Sequence, residues 1–212
     1  MLDTVIRFFQ SGGPFMYPIL VVLAIGITIT IERYIYLTSS MRSNKKVLAQ
    51  IMPLLEKGEM NSVIKLTRES NATVSKILGQ GLNNFSSARR RDDIEASMEE
   101  SIMEAIPRLE KRTHYLAMFA NIATLLGLLG TIIGLIKAFT AVAQVDPSMK
   151  AEILSTSISV AMNTTAFGLM VAIPLLLFYT LLQTKTTEII DSIEMATVRF
   201  VNQLTRPRNT EQ

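Results

Sequence analysis

The chain has 212 residues with a formal net charge of +3, and 49% of its residues are hydrophobic while only 18% are charged. Soluble domains have about 25% charged residues, so this deficit, with a mean hydropathy of +0.32, argues against a soluble domain and predicts a membrane protein. The absence of cysteine excludes disulfides, thiolate metal sites and cysteine nucleophiles. The basic excess needs no nucleic-acid partner, since membrane proteins concentrate Lys and Arg in cytoplasmic loops.

The first membrane span is predicted over residues 15–36, after a periplasmic N-terminal segment of residues 1–14. Its apolar core, Met16–Ile31, contains no Asp, Glu, Lys, Arg or His. At about 1.5 Å per residue, the segment reaches roughly 30 Å, which is long enough to span. No small-residue cleavage site follows it convincingly, so we expect a retained span and not a cleaved signal. Glu32 and Arg33 close the apolar run, where we expect them to pair or to face headgroups.

Residues 37–115 form a long polar segment that we expect to be cytoplasmic and helical. It holds 13 Lys and Arg against 10 acidic residues, and a basic excess is typical of the cytoplasmic side. Apolar residues at helical spacing predict short helices over residues 47–55, 60–66 and 74–82. From Asp93 the helical spacing continues into the second span. This predicts one helix over residues 93–143, bent near Pro107.

Two further spans are predicted over residues 116–143 and 155–182, joined by a short periplasmic loop of residues 144–154 and followed by a cytoplasmic helical tail of residues 183–212. In each, small and hydroxyl residues recur at spacings of three and four, which places them on one helix face. The second-span stripe is Ala120, Thr124, Gly127, Thr131, Gly134, Ala138 and Ala141, and the third-span stripe is Ala161, Thr165, Gly168 and Ala172. Small residues let membrane helices approach closely, so we expect the stripes to face inward or toward neighbouring subunits of a homo-oligomer.

The polar side chains on these two apolar spans include Thr131, Asn163, Thr164 and Thr165. A single Thr in a membrane helix often only bonds its own backbone carbonyl, but four together favour a wet lumen or a groove that receives another helix. Neither span contains Asp or Glu. Because a proton relay normally needs a group that titrates, we expect any carboxylate to come from another subunit.

No catalytic, metal or cofactor site is predicted. His114 is the only histidine, and it lies at a membrane boundary without an arranged nucleophile. Gly127, Gly130 and Gly134 lie inside an apolar helix with no preceding strand, which favours helix packing over a phosphate loop. The charge run of residues 89–91 is interpreted as a solvated turn facing lipid headgroups, not as a nucleic-acid patch.

Two sequence strings resemble signatures of the MotA/TolQ/ExbB proton-channel family. They are LLGLLGTIIGLIKAF at residues 125–139 and SISVAMNTTAFGLMVAIP at residues 157–174. The three-span order, the size of the polar segment and the Glu32–Arg33 pair agree, and the segment is closer to ExbB and TolQ than to the larger MotA. The resemblance places Thr131 and Thr165 on the pore-facing threonines of the family. This sequence differs from the family at Val160, where ExbB and TolQ proteins usually carry Glu.

The resemblance implies a pentamer around the transmembrane helices of two ExbD/TolR-like subunits, whose membrane Asp carries the proton. We therefore expect an all-α protein with three transmembrane helices, the second and third extended into the cytoplasm as long helices. It would be the pore-forming stator of an ion-driven motor in the inner membrane, with the N-terminus periplasmic and the C-terminus cytoplasmic. Its client would be an envelope process such as TonB-dependent or Tol-type work, and its other partners membrane lipids. A non-conducting scaffold that assembles partner helices remains the alternative.

Overall fold

The computed structural model describes residues 8–9, 12–85 and 91–204. Within these residues the regular elements are helices: α1 (Met16–Glu56), α2 (Met60–Glu69), α3 (Thr73–Phe85), α4 (Arg91–Glu110), α5 (Thr113–Val142) and α6 (Lys150–Leu204). Three helical stretches, Met16–Glu56, Arg91–Val142 and Lys150–Leu204, are long and apolar enough to cross a membrane by length and composition. The predicted all-α class with three apolar spans is therefore confirmed.

The predicted single helix over residues 93–143 is wrong. α4 ends at Glu110 and α5 begins at Thr113, and Arg112 between them takes a left-handed backbone conformation with φ of 66°. Pro107, where we expected a bend, lies inside α4. A non-glycine residue in this conformation costs about 1–3 kcal/mol, so surrounding contacts must stabilise it. Arg112 Nη1 lies 3.4 Å from Glu32 Oε2.

The helix that contains the first predicted span is longer than that span. α1 runs without interruption for 41 residues to Glu56, so the separate helix expected over residues 47–55 is the end of α1. The helix stops where Gly58 adopts a φ of 74°, a conformation that glycine accepts at little cost. α6 extends for 55 residues to Leu204, which confirms that the third span continues as a helix into the tail.

The chain divides into two compact units, one of Met1–Glu32 and Arg112–Leu181 and the other of Arg33–Lys111 and Leu182–Gln212. The second unit has a conventional hydrophobic core. Its fully buried side chains come from α1, α3, α4 and α6 and include Leu37, Ile51, Leu78, Met98, Leu109 and Phe200. Close helix contact supports this core at Gly81, where a Cβ atom would lie 2.5 Å from Met98 Sδ.

The first unit contains the apolar parts of α1, α5 and α6. Here glycines mark the helix contacts: a Cβ on Gly26 of α1 would lie 2.6 Å from Leu175 Cδ2 of α6. Large apolar side chains such as Leu125, Ile136 and Leu177 are exposed on α5 and α6. Exposed apolar faces on helices of this length are typical of segments that contact lipid or other apolar helices.

Part of the predicted charge run, Arg89 and Arg90, lies outside the described residues. Arg91 opens α4 and forms an ion pair with Glu95 at 2.7 Å. Arg91 also donates a hydrogen bond to Asn202 Oδ1 of α6 at 2.5 Å. Both contacts of Arg91 therefore lie within the second unit.

Candidate functional site

The candidate site lies in the first unit, where α5 and α6 come into backbone contact. A Cβ on Gly168 would lie 2.7 Å from the Ala123 carbonyl oxygen and 3.1 Å from Gly127 Cα. A Cβ on Gly134 would lie 2.9 Å from Ala161 Cβ. Only residues without a side chain allow this approach, which is how small residues promote helix packing in membranes. The second-span and third-span stripes therefore pack against each other.

This packing shows which surface the two stripes face. We predicted that they face inward or toward neighbouring subunits, because a monomer would otherwise expose them to lipid. In the structure Ala120, Ala138, Ala161 and Ala172 are at most 3% exposed within a single chain. These alanines therefore face inward within one protomer, whereas Thr124 of the second-span stripe is exposed. The buried part of the stripes does not by itself require an oligomer.

The contact between α5 and α6 brings Thr131 and Thr165 together. Their hydroxyls hydrogen-bond to each other, and either atom can be the donor. The Gly127 carbonyl lies within hydrogen-bonding distance of both, 2.9 Å from Thr165 Oγ1 and 3.2 Å from Thr131 Oγ1. Both residues are half-buried. The sequence placed these threonines on different spans, and the glycine contact joins them into one pair of hydroxyls.

The donor balance of this pair has a chemical consequence. Each hydroxyl has one hydrogen and two acceptor lone pairs. One hydrogen bridges the two oxygens, and the other reaches the Gly127 carbonyl. Both hydrogens are therefore used, while the oxygens keep acceptor capacity. A neutral carboxylic acid can donate to this pair without displacing any bond, whereas a carboxylate can accept a bond only if a threonine hydroxyl turns away from its present acceptor.

Thr164 serves a different contact. It is 2% exposed, and its hydroxyl lies 2.5 Å from the Gly12 carbonyl oxygen and 3.0 Å from that of Val160. Successive residues of an α-helix are about 100° apart, so Thr164 and Thr165 point to different sides of α6. Thr164 therefore bonds to Gly12, whereas Thr165 bonds to Gly127 of α5.

The remaining polar residues of the predicted site are dispersed. Asn163 is half-buried and is about 200° around the helix axis from Thr165. Thr124 is exposed, and its hydroxyl donates to the Ala120 carbonyl at 3.1 Å in its own helix. Of the four polar residues in the predicted ion pathway, only Thr131 and Thr165 come together.

Gly12 and Gly13 also contact this site, although the sequence did not predict it. Gly13 has a φ of 76°, which favours glycine, and a Cβ there would lie 3.3 Å from Val160 Cγ1. Phe9 packs edge-on against Phe167 at 4.9 Å between ring centroids. Consecutive glycines followed by Pro14 were the available signal, since such residues mark a change in chain direction. Phe9, Gly12 and Gly13 therefore contact the side of α6 that carries Val160, Thr164 and Phe167.

Comparisons with known proteins point to one family. A sequence profile described as the MotA/TolQ/ExbB proton channel family matches residues 69–195, more than half of the chain. The chain is 30% identical over 194 residues to an ExbB homolog of Methanothermobacter thermautotrophicus, covering 91% of this chain and 67% of that protein. It is 25% identical over 215 residues to the biopolymer transport protein ExbB of Neisseria gonorrhoeae, covering 92% and 96%. It is 28% identical over 109 residues to the Tol-Pal system protein TolQ of Haemophilus influenzae, covering 51% and 46%.

Proposed function

The chain belongs to the MotA/TolQ/ExbB proton channel family, and from this membership we propose that it is the pore-forming stator subunit of a proton-driven motor. It is a multi-pass inner-membrane protein and not an enzyme. The observation that carries the proposal is the hydrogen-bonded pair of Thr131 and Thr165 at the glycine contact between α5 and α6.

The proposed role of the pair is to distinguish the two protonation states of a carboxyl group. A protonated acid donates to a threonine oxygen and leaves the internal bonds intact. An ionised carboxylate gains a bond only when a hydroxyl turns away from the Gly127 carbonyl. A net hydrogen bond contributes about 0.5–1.5 kcal/mol, so the pair favours the neutral acid by a modest amount that still allows release.

The carboxyl group would come from a partner, because residues 116–143 and 155–182 contain no Asp or Glu. The family resemblance names the source: a membrane Asp on single-span subunits of the ExbD/TolR type, two of which would sit in a pentamer of this chain. Proton transfer would then drive rotation that powers TonB-like or TolA-like clients in the envelope. Residues 37–115 hold 13 Lys and Arg residues and the tail holds four, against one in residues 1–14 and one in residues 144–154. This distribution supports placing the first two segments in the cytoplasm and the last two in the periplasm.

A second function, a non-conducting scaffold for partner helices, has specific support. The stripes are used inside the protomer, both threonine hydrogens have internal acceptors, and the two spans lack an acid. Such a protein would hold a partner helix without moving ions.

A reconstitution experiment distinguishes the two proposed functions. The chain, alone or with its single-span partner, is placed in liposomes that contain a pH-sensitive dye, and proton uptake is driven by an imposed potential. If the chain is a stator, we expect little proton uptake by the chain alone and clear proton uptake with the partner. Equal and negligible uptake in both, with the partner shown to be bound, would establish the scaffold. Native mass measurement of the same sample tests the proposed homopentamer.

A further inference from the structure

A basic groove lies on the exposed side of α1, immediately after its apolar part. It has a volume of about 530 Å³ and is lined by Tyr34, Thr38, Ser39, Arg42, Ser43 and Lys46, with Ile35 beside them. The lining contains two cations and three aliphatic hydroxyls and no acidic residue. The groove belongs to the second unit.

Lys185 of α6 adds a third cation. Its Nζ atom donates to Thr38 Oγ1 at 3.1 Å and lies 3.9 Å from the centroid of the Tyr34 ring. Both contacts are to neutral groups, so they position the ammonium without neutralising its charge. None of the ion pairs found in the described part of the chain involves Lys185, Arg42 or Lys46. Three cations thus lie along one surface with their charge available.

The position along α1 matches the headgroup layer of a bilayer. A bilayer has about 30 Å of hydrocarbon and about 40–45 Å in total, which leaves about 5–8 Å for the headgroups on each side. Tyr34 and Thr38 are four residues apart, about 6 Å along the helix. If the hydrocarbon ends near Glu32 and Arg33, then Tyr34, Thr38 and Lys185 lie among the headgroups. Arg42 and Lys46 follow at about 12 and 18 Å from Tyr34.

We propose that this groove binds the headgroup phosphate of an anionic phospholipid, with Lys185 and Thr38 as its contacts and Arg42 and Lys46 as more distant attracting charges. Lipid is the favoured occupant because the groove continues directly from an apolar span. Tyr34 is 53% exposed and Ile35 is 62% exposed at its upper end, where acyl chains would cover them. Aromatic side chains are enriched at this boundary because one part is apolar and the other polar.

The test uses the purified full chain in mild detergent, titrated with phosphatidylglycerol or with phosphatidylcholine of the same acyl chains. Bound lipid is counted by native mass spectrometry. We expect tighter binding of phosphatidylglycerol and about a fivefold loss of its affinity in Lys185→Gln and in Arg42→Gln, since each cation near an anionic surface contributes about 1 kcal/mol. Thr38→Val keeps every charge and should also weaken binding, because it removes a hydroxyl from the site.

Lys57→Gln is the matched control. Lys57 is exposed and follows the end of α1, outside the groove, so its loss should leave phosphatidylglycerol affinity unchanged. Equal binding of the two lipids, or an equal effect of Lys57→Gln and Lys185→Gln, would overturn the proposal in favour of general charge attraction. A third arm adds glycerol phosphate. Its displacement of phosphatidylglycerol at equal concentration would show that the groove takes a soluble phosphate and not a lipid.

Discussion

The guanidinium of Arg33 in α1 donates a hydrogen bond to the backbone carbonyl of Leu109, one residue before the end of α4. The last carbonyls of a helix lack intrahelical partners and carry the negative end of the helix dipole, so a cation is a suitable cap. Arg33 is 2% exposed and its guanidinium also lies 4.8 Å from the centroid of the Tyr36 ring. This contact caps the C-terminal end of α4.

Arg33→Met should therefore destabilise the protein by about 1.5–3 kcal/mol. The substitution keeps an unbranched chain but removes a charge-assisted hydrogen bond and leaves the Leu109 carbonyl buried without it. Chemical unfolding in detergent measures the effect. Glu32→Gln is the control: its partnership with Arg112 is between side chains that are 42% and 50% exposed, and such pairs contribute about 0–1 kcal/mol. Equal losses in the two variants would contradict the capping role.

A second prediction concerns two glycine-to-alanine substitutions, one at the contact between α5 and α6 and one in α3. They should change the stability in opposite directions. Gly168→Ala places a Cβ 2.7 Å from the Ala123 carbonyl oxygen, and since backbone cannot move aside easily, we expect a loss of about 1–3 kcal/mol. Gly79→Ala in α3 meets only Thr67 atoms at 3.7 and 3.8 Å, which is ordinary contact. It should stabilise by about 0.5–1 kcal/mol, because alanine has less freedom to lose in a helix. Thermal unfolding midpoints compare the two, and a neutral Gly168→Ala would refute the close contact.

The topology has its own test, because the chain has no cysteine. Single cysteines at Ser86, which lies outside the described residues, and at Ser148, which is exposed between α5 and α6, are labelled in whole cells with an impermeant reagent. The proposed orientation requires labelling at position 148 and none at position 86 until the membrane is opened. The reverse pattern would invert the topology.

Much of the fold follows from local periodicity, and the exceptions are contacts between distant residues. The three apolar stretches are long enough for their helical character to be read from composition and spacing. The break at Arg112 has no local signal, since neither glycine nor proline stands there. Contacts of Glu32 with Arg112 and of Arg33 with Leu109 accompany the break, and both partners are about 80 residues away in sequence.

In the candidate site, too, local spacing predicted some features, whereas contacts between distant residues were not predicted. Spacing predicted that Thr131 and Thr165 share faces with small residues, and the glycines explain why those faces meet. Spacing did not predict that Thr164 is paired with Gly12, because that contact depends on how the N-terminal segment packs against α6. Adjacent threonines therefore looked equivalent in the sequence, although they belong to different contacts in the structure.

The most direct test of the proposed function compares three Thr→Val variants, each of which keeps the side-chain shape and removes one hydroxyl. Each is reconstituted with the partner subunit, and proton uptake is measured per folded complex. Thr165→Val should lower the rate about two- to tenfold, since the net hydrogen bond that it removes contributes about 0.5–1.5 kcal/mol. Thr164→Val should lower stability through the lost bond to Gly12 and leave the rate close to wild type, and Thr124→Val should change neither. Wild-type uptake in Thr165→Val, or an equal loss in Thr164→Val, would contradict the central claim that the Thr131–Thr165 pair serves the proton path.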